Sequence, residues 1–153
     1  MEKTLFIPTG GACPGMREIN LELSRLLPNG TLFGVLGGWG ALQQKYGDSI
    51  VPVSYEAAKK HAENPFSTRP LASFGKQGPG NNWEPYVPII EKLVSDGFRR
   101  LVQFAGNGSA FCLYEGACKA ADHVFEKTGI RLNIVQLMKS IDSDTGFYTI
   151  GSD

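Results

Sequence analysis

Three short runs carry residue types suited to phosphate chemistry: Gly10–Gly15 (GGACPG), Gly106–Ser109 (GNGS) and Lys139–Asp144 (KSIDSD). In the first, Gly10 and Gly11 let the backbone approach a ligand, and Gly15 precedes an expected helix start whose free N–H groups suit a phosphate. An ordinary strand-to-helix turn explains the same glycines. In the second, Gly106 and Gly108 flank Asn107, and a helix is expected just after Ser109. Asn107 can orient a phosphate or a hydrated metal without adding charge; a helix cap by Asn107 or Ser109 is the alternative. In the third, Asp142 and Asp144 would point the same way from an extended backbone. There they could hold Mg²⁺ and deprotonate a hydroxyl, with Lys139 as a point charge for a phosphate. A solvated acidic turn fits the same residues.

The elements that must position these runs are readable from periodicity. Thr4–Ile7 reads as a strand ending at Pro8, and Met16–Leu27 as a helix with Ile19, Leu23, Leu26 and Leu27 on its inner face. Thr31–Leu36 reads as a second strand closed by Gly37 and Gly38, with a short helix or turn over Trp39–Tyr46. Asp48–Asn82 is irregular apart from a small helix near Tyr55–Ala62. Glu84–Asp96 reads as a helix admitting Pro85 and Pro88 only in its first turn, with Val87, Ile90 and Val94 inward. Arg100–Phe104 is an expected strand, Gly106–Ser109 a loop, and Ala110–Lys127 a long helix with Leu113, Ala117, Ala121, Val124 and Phe125 inward. Leu132–Leu137 is the last expected strand. Strands alternating with helices imply an α/β fold, a Rossmann-like parallel sheet flanked by helices, with ligands at the carboxyl ends of the strands.

The 153 residues suffice for one domain, 1–153. Fifteen basic and fifteen acidic residues cancel, which removes the electrostatic case for nucleic acid or a membrane surface. No apolar run has the length of a membrane span, and the first residues lack the pattern of a signal peptide. The three cysteines are an odd number without metal-like spacing, which points to free thiols and a cytoplasmic, reducing location.

Taken in order, the runs resemble the phosphofructokinase family. GGACPGMREIN is similar to that family's opening loop, and LFGVLGGWGAL to its second strand and glycine-rich turn. FAGNGSA is similar to its GGDGS or GGNDS loop, and MKSIDSDTGFYTIGSD to its PKTIDND…DYTIGF segment. The resemblance spans nearly the whole chain. It implies that Asp142 is the base taking a sugar hydroxyl proton, that Asp144 is an acid tied to metal and phosphates, and that Ser140 touches the transferred phosphoryl group. It also implies phosphate contacts from Gly11, Gly106, Gly108 and Ser109. Lys139 matches the pyrophosphate-using branch, whereas Gly108 matches ATP users.

The departures bear on function. Ala12 stands where many members have Asp or Leu, and Asn107 replaces the usual metal-linked Asp. The family's LGSSR arginine becomes Gly75 or Lys76. The residues that build the family's sugar-phosphate pocket lie beyond the matching segment. The expectation is therefore a minimal phosphofructokinase-like protein that binds a phosphorylated small molecule or nucleotide without turnover, with Mg²⁺ entering only alongside that ligand. The alternative is a phosphotransferase using ATP or pyrophosphate, complete only with a partner chain or within a longer protein. A homo-oligomer is expected, with Trp39, Phe66, Phe74, Trp83 and Tyr86 available for the contact.

Overall fold

The computed structural model describes residues 1–8, 16–63 and 78–139. It is an α/β fold built on a five-stranded sheet of order β3-β2-β1-β4-β5. The strands are β1 (Lys3–Pro8), β2 (Leu32–Val35), β3 (Ile50–Pro52), β4 (Phe98–Gly106) and β5 (Asn133–Lys139). All neighbours are parallel except β2 and β3. The helices are α1 (Met16–Leu26), α2 (Gly38–Gln44), α3 (Tyr46–Ser49), α4 (Tyr55–Glu63), α5 (Val87–Ser95) and α6 (Asn107–Thr128).

Helices cover both faces of the sheet, so the central strand β1 is apolar on both sides. Leu5 and Ile7 join the larger core with Trp39, Leu42, Ile90, Leu93, Leu113 and Val124, drawn from α2, α5 and α6. Phe6 joins a smaller core with Leu32, Val53, Ala58 and Phe104, covered by Ile19, Leu23 and Leu27 from the α1 region. Each large apolar side chain fully buried this way contributes about 1.5–3 kcal/mol. Local chemistry sets the ends. The Ser54 hydroxyl accepts from the Ala57 N–H at the start of α4. Gly97 (φ 94°) and Gly129 (φ 75°) take the left-handed conformation that closes α5 and α6. Pro85 lies in a short 3-10 turn, Glu84–Tyr86, and Pro88 in the first turn of α5.

Several expectations are corrected. Leu26 is 68% exposed, and Asn20 takes a buried place on the inner face of α1 instead. Phe125 is 39% exposed, its ring carrying the Arg131 guanidinium at 4.2 Å. The irregular stretch contains β3, an edge strand that tolerates Pro52 because its outer side needs no ladder donor. Trp39 and Tyr86 are not a contact surface. They are fully buried and meet edge to face at 4.9 Å. The Tyr86 hydroxyl donates to the Gly80 carbonyl at 2.6 Å, and Gly116 leaves α6 without a Cβ that would sit 2.7 Å from the Tyr86 ring. Trp83 is partly buried against this core, 5.1 Å from the His123 ring; Phe66 and Phe74 lie outside the described residues.

Candidate functional site: the carboxyl edge of the sheet

Strand order picks out a candidate position for a site. From β1 the chain moves to β2 on one side and later returns to β4 on the other side of β1. The carboxyl ends of β1 and β4 therefore flank a topological switch point, where parallel α/β sheets bind ligands. Pro8, the last residue of β1, is level with Phe104, and β4 continues to Gly106. At the rise of an extended strand, β4 stands about 7 Å above the end of β1. β5 climbs with it, pairing Gly106 with Lys139.

The expected loop at Gly106–Ser109 is corrected here. Gly106 closes β4, and Asn107, Gly108 and Ser109 already form the first turn of α6. The strand feeds straight into a 22-residue helix. Its first four N–H groups have no intrahelical partner, and its dipole places roughly half a positive charge there. Adjacent parallel strands lie about 4.8 Å apart, and the pairing of Gly106 with Lys139 brings the backbone of Lys139 to the same corner. Gly106, Asn107, Gly108, Ser109 and Lys139 are thus brought together by the backbone at one edge. Gly10, Gly11, Gly15, Lys76, Ser140, Asp142 and Asp144 lie outside the described residues.

Beneath this corner runs a buried polar chain that the sequence reading did not pick out. The Trp39 indole Nε1–H donates to Gln103 Oε1 at 2.7 Å, and Gln103 Nε2–H donates to Gln136 Oε1. Trp39 belongs to the helix after β2, Gln103 to β4 three residues before Gly106, and Gln136 to β5 three residues before Lys139. The chain ties α2 to the neighbouring strands β4 and β5. Its signal in the sequence was a lone amide in the apolar run Leu101–Phe104.

The shifted titratable groups lie elsewhere. Burial raises the Cys118 thiol, and burial with a hydrogen bond to Asp96 raises the Tyr46 phenol. Burial and then the Arg17 charge lower His61. Among the described residues no three His, Cys, Asp or Glu side chains group to hold a metal, and no helix is long and apolar enough to cross a membrane.

No protein-family profile and no curated protein matches the chain. Solved structures do. A phosphofructokinase from Saccharomyces cerevisiae superposes with a TM-score of 0.67 at 22% identity over 99% of this chain. Phosphofructokinase of Pichia pastoris in the T-state gives 0.72 at 16% identity over 98%. The fold is phosphofructokinase-like. The chain spans only 22% and 18% of the length of those two chains, about a fifth.

Proposed function

We propose that this chain is a minimal phosphofructokinase-like protein that binds a phosphorylated small molecule or nucleotide at the carboxyl edge of its sheet, for sensing or sequestration, without turning it over. The observation that carries this is the corner at Gly106, where a long helix starts directly off β4 beside Lys139 at the β1/β4 switch point. Helix-start N–H groups and a lysine suit a phosphate. The glycines Gly10, Gly11 and Gly15, which follow β1 in the sequence, are the further phosphate contacts of this reading. Binding without turnover follows from Asn107 in place of an acid and from Gly75 or Lys76 in place of an arginine, since phosphoryl transfer depends on charge neutralisation at the transferring group. Mg²⁺ then takes phosphate oxygens as its main ligands, with Asp144 as the protein's contribution. The protein acts in the cytoplasm as a homo-oligomer.

The second reading is a phosphotransferase in which Asp142 is the base and Asp144 and Ser140 assist, within a larger assembly. The structural neighbours, both phosphofructokinases about five times as long, favour keeping it.

A thermal-shift series with ATP, pyrophosphate and sugar phosphates, alongside a phosphate-transfer assay on fructose 6-phosphate, tests both. A ligand present at a hundred times its Kd stabilises the fold by about 2.7 kcal/mol. Stabilisation without transfer supports the binding reading. Transfer that Asp142→Asn slows by about a hundredfold or more establishes the enzyme.

A further inference from the structure

The two edges of the sheet are finished differently. β3, at one edge, is three residues long and carries Pro52, which has no N–H to offer a further strand. β5, at the other edge, is seven residues long, and among the described residues only β4 pairs with it. The usual protections of an edge are missing from it. The run Leu132–Met138 (LNIVQLM) contains no charge, no proline and no glycine. Its register against β4 advances one residue at a time, so no bulge twists the edge away. Val135, at the centre of the run, is 50% exposed. A long, uncharged, apolar edge strand is a template for another strand, because its outer N–H and C=O groups are already aligned to pair.

We propose that β5 is a self-association edge, where a second copy of this chain adds its own β5 antiparallel across a two-fold axis at Val135. The uncharged run is centred on that residue. Val135 then meets its own copy, Ile134 meets Gln136, and Asn133 meets Leu137, so no like charges oppose each other inside the run. At its ends Arg131 comes level with Lys139, and the Arg131 guanidinium is already neutralised by Asp122. A depression of about 280 Å³, lined in part by Cys118, Ala121, Leu132 and Ile134, adjoins β5 on the α6 side and extends the contact surface beyond the strand.

Closure favours a second copy over an unrelated extended peptide. Two β5 strands related by a two-fold axis cover each other, so one contact removes the open edge of both copies. A single added peptide leaves its own outer side open. Growth also stops there. The joined sheet has twice the five strands and ends in β3 on both sides, and Pro52 opposes head-to-tail pairing of β5 with β3. This rests on the homo-oligomer reading above and gives it a surface.

The test is sedimentation velocity at micromolar concentration on the full chain as wild type, Val135→Lys and Leu26→Lys, with circular dichroism to check that each folds. The wild type is expected at twice the chain mass. Val135→Lys is expected at the single mass, because it places two like charges together on the axis. Leu26→Lys, at an apolar residue 68% exposed on α1 rather than on β5, is expected to stay dimeric. A monomeric wild type overturns both the homo-oligomer reading and this inference. Val135→Lys that still dimerises, or Leu26→Lys that dissociates as fully, leaves the homo-oligomer reading standing and overturns this inference. If Val135→Lys fails to fold, hydrogen exchange on the wild type decides. Amides over Asn133–Leu137 should all be protected in concentrated protein, and every second one should lose protection on dilution. Alternate amides that exchange fast at every concentration overturn the proposal.

Discussion

The buried chain Trp39–Gln103–Gln136 supports a quantitative prediction. Gln103→Leu keeps the apolar volume but removes the acceptor of the Trp39 indole N–H, which has no access to water. An unpaired buried donor costs about 1–3 kcal/mol. Gln136 adds little, because it is only part-buried and its amide also donates to the Leu137 carbonyl at 2.9 Å. Trp39→Phe leaves Gln103 Oε1 unpaired instead and also loses ring contacts with Tyr86. In the double variant neither orphan remains. Its cost should fall short of the sum of the single costs by about 1–2 kcal/mol. Urea unfolding followed by far-ultraviolet circular dichroism measures this, since fluorescence would lose Trp39. Single-variant costs that add within about 0.5 kcal/mol would refute the reasoning.

Gly116→Ala places a methyl carbon 2.7 Å from the Tyr86 ring and 2.8 Å from the Gly80 carbonyl. It should destabilise by about 1–3 kcal/mol; a melting temperature equal to the wild type would show that the Gly78–Gly80 segment yields freely. His61 titrates below its ordinary range because burial, and then Arg17, disfavours the imidazolium. The unfolded chain therefore protonates first. The stability held by the neutral ring is present above about pH 6.5 and declines as pH falls from there through the folded value. Urea midpoints at about pH 7.5 and 5.5 should diverge more for wild type than for His61→Gln, and equal divergence would count against the assignment. The proposed self-association predicts a dimer or larger homo-oligomer, and light scattering giving a monomer at micromolar concentration would argue against it.

Much of the fold is legible in the sequence because apolar spacing marks β1, β2, β4, β5 and every helix of nine or more residues. What escaped has physical causes. Gly106-Asn107-Gly108 reads as a breaker, yet glycines at a helix start carry no penalty when the preceding strand delivers the backbone in line. β3 is three residues long and contains Pro52, so it has too little pattern to detect. Trp39 and Tyr86 sit among glycines and prolines and look like surface. They are core because Gly78 and Gly116 make room for them, a tertiary fact that no local window contains. Phe125 directly follows the fully buried Val124 and turns outward from it, where Arg131 stacks on it. At the candidate site, the sequence pointed to the Gly106–Ser109 and Lys139 corner, but not to the amide chain beneath it. That chain depends on which polar atoms end up buried together.

Amide chemical-shift mapping on isotope-labelled protein tests the central claim most directly. Titration with ATP or ribose 5-phosphate should shift Gly106, Asn107, Gly108, Ser109 and Lys139 first, and phosphorus spectra should show the ligand intact in the presence of fructose 6-phosphate. Gly108→Val should abolish the response, because a side chain there blocks close backbone approach. Shifts confined to the depression lined by Tyr46, Lys92 and Asp96 would contradict the account, as would steady consumption of ATP.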